Sequence, residues 1–301
     1  MTATIIQPGQ LEAPAGEIPF LRVPARDSFF KDRAERFRQL VREHKMGEFL
    51  AFMARIADAQ HAALQSFPSV PLPDANQLIQ SREHGMPPLA ARSWKRNVAW
   101  RDAVHKIAAA VATDAPTPAQ ETIARIGNMT NDELEKLADA VLDGHAELDL
   151  AAAPFIVAAL QVYWAHMTIT LGNAAFARTD MPNLCPVCAS APVASIVRIG
   201  SEHGLRYLHC SLCGTEWHMV RTKCSNCEST KGIAYYAIEG DKGAVKAEAC
   251  EECGSYLKIL YLDKDPHLDP TADDLASLAL DILMDETGIQ RSGPNLFLIS
   301  P

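Results

Sequence analysis

Hydrophobic positions recur at three- and four-residue steps along the first part of the chain, and at shorter intervals after it. Phe30, Phe37, Leu40 and Val41 share one helical face, with Lys31, Arg33, Glu35, Arg36 and Arg38 on the others, which predicts a helix from Asp27. After Gly47 the residues Leu50, Met53, Ile56, Ala57, Leu64 and Phe67 keep the same steps until Pro68, Pro71 and Pro73 end a second helix. Trp94, Val98, Arg101, Val104, His105 and Ile107 predict a third, running to about Val111 and followed by a turn over Thr113 to Pro118. Thr130-Asn131-Asp132-Glu133 is a capping box for a helix that ends at Gly144. Ala151 to Leu171 is the most apolar segment and is long enough to cross a bilayer. Pro154, Gln161 and His166 interrupt it and no basic cluster flanks it, so a buried central helix is expected and no membrane insertion.

Beyond Pro182 the pattern turns β-prone. Ser195 to Ile199 and Arg206 to Leu208 flank the turn Ser201-Glu202-His203-Gly204, and Thr215 to Thr222 adds a third run. The same order returns with Ile233 to Ile238, the turn Gly240-Asp241-Lys242-Gly243, Ala244 to Glu248 and Tyr256 to Leu262. Last, Asp269-Pro270-Thr271 opens a single C-terminal helix, with Leu275, Leu278, Ala279, Ile282 and Leu283 on its apolar stripe. Asp273, Asp274, Asp281 and Asp285 are assigned to its outside, and the tail 293–297 is apolar enough to dock. The pattern gives an α+β chain: a proline-spaced flexible arm over 1–26, an all-α N-terminal domain over 27–182, tandem β ribbons over 183–223 and 224–265, and a C-terminal helix and tail over 266–301.

Composition is that of an ordinary globular protein, 48% hydrophobic and 22% charged over 301 residues. The net charge of −9 disfavours nucleic acid and anionic membrane as partners. Residues 184 to 262 carry eight basic and eight acidic side chains, so the ribbons have no basic footprint of their own.

Those ribbons hold all eight cysteines, as the pairs Cys185/Cys188, Cys210/Cys213, Cys224/Cys227 and Cys250/Cys253. The first pair lies 39 residues before the third and the second 40 before the fourth, so the cysteines belong to an internal repeat. A Cys-x-x-Cys turn aims two thiolates at one point, and two such turns complete the tetrahedral four-sulfur set of zinc or iron. The repeat pairs Cys185, Cys188, Cys210 and Cys213 as one metal site and Cys224, Cys227, Cys250 and Cys253 as a second. A rival scheme joins the two middle pairs across ten residues and the outer pairs around them. Met1 to Gly16 lack a secretory signal's basic and apolar regions, so a cytoplasmic chain with reduced cysteines is expected rather than four disulfides. Neither ribbon buries enough apolar surface alone, which makes metal binding part of its folding free energy.

Four sulfurs leave no coordination position for water or substrate, and the chain has no nucleophile elbow and no phosphate-binding glycine loop. An enzyme is therefore not expected. His203, His209 and His218 read as strand or turn residues rather than ligands. Rubredoxin-type knuckles carry glycine after the second cysteine; Gly214 and Gly254 comply while Ala189 and Glu228 do not, which predicts a looser first knuckle in each ribbon.

The sequence resembles the formate dehydrogenase accessory protein family, FdhE. The resemblance is carried by Cys185-Pro186-Val187-Cys188, by 204–213 (GLRYLHCSLC), by Thr215-Glu216-Trp217-His218 and by 220–227 (VRTKCSNC). Lys246-Ala247-Glu248, Tyr256-Leu257-Lys258-Ile259-Leu260 and 272–278 (ADDLASL) add to it, so that it covers about the last 120 residues. Ala189 and the tail Pro294-Asn295-Leu296-Phe297 depart from the pattern. The resemblance implies two tandem rubredoxin-like (zinc-ribbon) units whose eight cysteines hold two metal ions, iron favoured and zinc the alternative. It also implies a cytoplasmic maturation factor that binds the catalytic subunit of formate dehydrogenase, a molybdenum or tungsten enzyme, before assembly or export. A rubredoxin-like electron carrier and a zinc-ribbon nucleic-acid adaptor remain the other two readings.

Overall fold

In the computed structural model, residues 18–42, 44–144, 149–240 and 243–298 are described. Seven helices come first: α1 (Phe29–Leu40), α2 (Gly47–Gln65), α3 (Ala75–Glu83), α4 (Ala99–Val111), α5 (Thr117–Ile126), α6 (Asn131–Asp143) and α7 (Ala153–Leu171). The capping box at Thr130 is present, with the Glu133 amide donating to the threonine hydroxyl and the Glu133 carboxylate accepting from the Thr130 amide. Asp74 and Gln77 form a second capping box that starts α3. Two helices lie where the spacing gave no helix, α3 and α5. Helix α7 is the axis of the body. Its residues from Phe155 through Thr168 are all buried, and α2, α4 and α6 pack around it. Among the described residues it is the one helix long and apolar enough to cross a membrane, and 78% of that window is buried inside the protein.

The second half builds one sheet. β2 (Pro192–Val197), β3 (Arg206–Cys210) and β4 (Glu216–His218) form an antiparallel meander, as do β5 (Ile233–Tyr236), β6 (Val245–Cys250) and β7 (Ser255–Tyr261). The two meanders share one continuous sheet. β2 pairs parallel with β7, with Ser195 opposite Ile259 and Val197 opposite Tyr261, so the first strand of one repeat continues the last strand of the other. The mobile arm expected over 1–26 also needs correction over its described part. Residues 21 and 22 form β1 (Leu21–Arg22), which covers the β4 edge with Leu21 opposite Trp217; Leu21 is buried, and Tyr207 donates its hydroxyl to the Pro19 carbonyl at 3.0 Å. The rest of that arm, 1–17, lies outside the described residues.

The single C-terminal helix is in fact two, α8 (Pro270–Ala276) and α9 (Leu278–Asp285), followed by the short β8 (Gln290–Arg291). The break at Ser277 has a cause in the sheet: buried Lys258 on β7 donates its ammonium to the carbonyls of Asp274 and Ser277, at 3.0 and 3.1 Å. Nor do Asp273 and Asp274 face outward. Both are buried: Asp273 is gripped by Arg36 of α1 at 2.6 Å, and Asp274 by Lys258 at 3.2 Å and Arg291 at 2.6 Å. Buried carboxylates persist only when paired in this way. They place α8 between the helical body and the sheet. The tail docks beside it, with Phe297 buried and the Asn295 amide donating to Asp274 at 2.8 Å.

Two candidate metal centres

In the Cys210/Cys213 and Cys224/Cys227 pairs, backbone amides of the turn face the first sulfur. The amides of Leu212 and Cys213 donate to Cys210 Sγ at 3.4 Å, and that of Asn226 to Cys224 Sγ at 3.3 Å. The residue after each second cysteine is left-handed in all four turns: Ala189 (φ 61°), Gly214 (73°), Glu228 (60°) and Gly254 (62°). The first knuckles are therefore not looser than the second. Among the described residues Ala189 and Glu228 are the non-glycine residues with positive φ, a conformation that costs an L side chain about 1–2 kcal/mol. They hold the same turn as the glycines. In both, the amide of the left-handed residue donates back to the first cysteine's carbonyl, at 2.9 Å for Ala189 and 3.1 Å for Glu228.

The turns bring the sulfurs together in two groups, Cys185, Cys188, Cys210 and Cys213, and Cys224, Cys227, Cys250 and Cys253. Within each, the ligand atoms lie within 4.8 Å of one another. A metal about 2.3 Å from four sulfurs sets a tetrahedral edge of about 3.8 Å. The measured edges are 3.6 Å (Cys185 to Cys213), 3.4 Å (Cys188 to Cys210), 3.7 Å (Cys188 to Cys213), 3.8 Å (Cys224 to Cys253) and 3.7 Å (Cys227 to Cys250). All eight cysteines are free, and these spacings are far beyond a disulfide's length of about 2.05 Å. The sulfurs fit a tetrahedral cation and not the rival pairing across the repeats.

Protonation makes the same point. Burial pushes the Cys185 and Cys210 thiols well up, and Cys224 up to about 12. In Cys213 and Cys253 burial also acts upward but loses. Hydrogen bonds from its three neighbouring cysteines and Thr215 hold Cys213 well below an ordinary thiol, and bonds from Ser255 and the neighbouring cysteines hold Cys253 at about 7. Four thiolates brought this close need a cation to neutralise them. The hydroxyls are themselves a repeated feature, Thr215 lying 3.1 Å from Cys213 Sγ and Ser255 3.1 Å from Cys253 Sγ. Aligning the two repeats two residues past the last cysteine reveals both.

The two centres sit in different surroundings. All four sulfurs of the first are buried, and the helical body holds both its knuckles. The amides of Leu89 and Ala91 donate to the carbonyls of Val187 and Cys188, each at 2.9 Å, and Gln161 of α7 donates to the Ser211 carbonyl at 2.8 Å. Gln161 is the polar break in the apolar helix, and its own oxygen accepts from Gln60 at 3.0 Å and Arg33 at 3.3 Å. At the second centre Cys227 is exposed and Cys253 half-buried. That site reaches the surface.

None of the three histidines belongs to a sulfur group. His209 is buried on β3, with Nδ1 3.4 Å from Glu216, whose carboxyl would rise on burial but is held at about 2 by His209 and Arg198. His218 packs edge-on to Tyr207 at 5.6 Å, and His203 lies exposed on the β2–β3 turn.

A mixed helical and sheet fold carrying two four-cysteine groups, each of which could hold a metal ion, is compatible with a zinc-ribbon class of protein. Family models described as "FdhE, N-terminal", "FdhE, central domain" and "FdhE, C-terminal domain" match residues 18–180, 184–221 and 222–298. The chain is 41% identical over 286 residues to Protein FdhE of Salmonella arizonae and 43% identical over 286 to a Protein FdhE homolog of Yersinia pestis, covering 94% of this chain and 92% of each relative. The crystal structure of the FdhE protein from Pseudomonas aeruginosa superposes with a TM-score of 0.83 at 40% identity, covering 93% of this chain and 99% of that one. The chain belongs to the FdhE family.

Proposed function

We propose that this chain is a formate dehydrogenase accessory protein that binds the enzyme's catalytic subunit during maturation in the cytoplasm. Cys185, Cys188, Cys210 and Cys213 hold one metal ion, and Cys224, Cys227, Cys250 and Cys253 a second; iron is favoured and zinc is the alternative. Residues 183–223 and 224–265 act as two rubredoxin-like units whose folding the metals complete. The observation that carries this reading is the unequal burial of two otherwise equivalent sulfur sets, one sealed against the helical body and one at the surface. Four sulfurs per ion leave no position for a substrate, so the exposed centre serves as a shaped contact surface and not as a Lewis acid.

The test is capture of the catalytic subunit from anaerobic extract on the tagged chain, with metal analysis of the same sample. Co-purification with the wild type and its loss in Cys227→Ser support the proposal. A Cys227→Ser chain that captured the subunit normally and restored formate dehydrogenase activity would remove the second centre from the contact. The exposed Cys227 also suits an electron carrier of rubredoxin type. Reversible thiolate-to-iron charge-transfer absorption would favour that reading, and a colourless zinc-loaded chain that still supports the enzyme would exclude it.

A further inference from the structure

The balance of eight basic and eight acidic side chains over 184–262 does not survive folding as an even mixture. Glu248 is taken by Arg206, Glu216 by Arg198, Glu202 by Arg22 and Glu228 by Lys223. Arg221 and Lys246 come out of this sorting with no carboxylate partner among the described residues. Both sit instead over the ring of Tyr261, Arg221 at 6.0 Å and Lys246 at 5.5 Å from its centroid.

These residues line a cavity of about 240 Å³ at the seam of the two repeats. It opens at the carboxyl ends of the parallel strands β2 and β7, where the Leu262 amide donates to the Val197 carbonyl at 3.2 Å. The β2–β3 turn and the β5–β6 turn stand on either side, contributing Gly204 and Gly243. Repeat one supplies Arg198 and Arg221, and repeat two Lys246 with Lys264 just beyond it; among the described residues the one carboxylate in the lining is Asp263. Arg198 is held by Glu216 and Lys264 lies 3.6 Å from Asp263, which leaves Arg221 and Lys246 as the lining cations with no carboxylate partner among the described residues. Tyr261 is already covered by cations, so the pocket offers no free aromatic face for stacking a base.

We propose that this seam pocket binds a compact multivalent oxyanion, a phosphate or diphosphate, either free or as the phosphoryl group of a larger molecule. Clustered Arg and Lys around a partly enclosed space recognise such groups through charge-assisted hydrogen bonds, and the volume suits one or two phosphoryl groups rather than a polynucleotide. The site is distinct from both sulfur groups and does not depend on the formate dehydrogenase reading.

The test is calorimetric titration of the full, metal-loaded chain with sodium phosphate, sodium diphosphate and ADP at constant ionic strength. Saturable sub-millimolar binding of diphosphate is expected. Equal binding of ADP would identify a phosphoryl group on a larger ligand as the source, and exclusion of ADP would identify the free anion. R221Q/K246Q should weaken binding at least about tenfold with metal content unchanged, while K31Q/R42Q, which removes the same charge from α1 and the turn that follows it, should not. No saturable binding at millimolar diphosphate, or equal weakening by both double variants, would overturn the assignment.

Discussion

Arg206 and Glu248 form a fully buried ion pair that joins the two repeats. The same guanidinium donates to the carbonyls of Val220 and Lys223, at 2.8 and 2.6 Å, and so fixes the segment that delivers Cys224 to the second centre. Glu248 is completed by the Tyr235 hydroxyl at 3.1 Å. Removing one partner of a buried pair strands the other charge. Arg206→Met should therefore cost about 3–5 kcal/mol in urea unfolding. It should also lower metal retention at the second centre more than at the first. Equal loss from both centres would mean that Arg206 supports the sheet generally and not the Cys224 turn.

Ala189 and Glu228 occupy left-handed turns that Gly214 and Gly254 occupy without strain. Ala189→Gly and Glu228→Gly should each stabilise the metal-loaded protein by about 0.5–1 kcal/mol, the relief of strain exceeding glycine's extra chain entropy. The reverse changes should differ from each other. A Cβ at Gly214 meets the Phe29 ring at 2.2 to 2.9 Å, whereas a Cβ at Gly254 meets nothing within 4 Å. Gly254→Ala should cost about 1 kcal/mol, and Gly214→Ala distinctly more because the Phe29 ring must move as well. Denaturant midpoints of the four variants decide it.

The grouping of the cysteines was legible because a repeat writes contact into spacing; α2 and α4 were legible from apolar stripes of three turns or more, α6 from its capping box, and α7 because it is apolar on every face. What escaped depends on residues distant in sequence. Lys258, nineteen positions before Ser277, breaks the C-terminal helix by taking its carbonyls, and Asp273 reads as a surface acid until Arg36 is brought to it from 237 positions away. The unequal burial of the centres turns on Gln161 meeting Ser211 across 50 positions. A polar residue inside an otherwise apolar helix was the local trace of that contact. The even charge balance of residues 184–262 likewise gave no sign of the cationic seam.

His166 accepts from Arg26, its Nδ1 lying 3.2 Å from the guanidinium, and stacks on Phe67 at 4.8 Å. Burial and the Arg26 charge lower its pKa to about 4. An unfolded histidine takes up a proton near pH 6.5 and this one does not, so its contribution to stability is present above about pH 6.5 and is lost as pH falls toward 4. His166→Gln keeps an acceptor without a titrating ring. The loss of stability between about pH 7 and pH 5 should be smaller in this variant than in the wild type, with metal loss common to both. An unchanged difference between the two would place the charged imidazole in the folded state.

The buried first centre and the exposed second centre should exchange metal at different rates. With excess chelator and a chromogenic metal indicator, one equivalent should leave quickly and one slowly. Cys227→Ser should abolish the fast phase alone. A single phase releasing both equivalents would mean that the helical body gives the first centre no protection.

X-ray absorption at the metal edge, with metal-to-protein ratio from the same sample, tests the two-centre assignment most directly. Two metal ions per chain, each with four sulfur neighbours at about 2.3 Å, are expected. One ion per chain, or nitrogen and oxygen in the first coordination sphere, would contradict it.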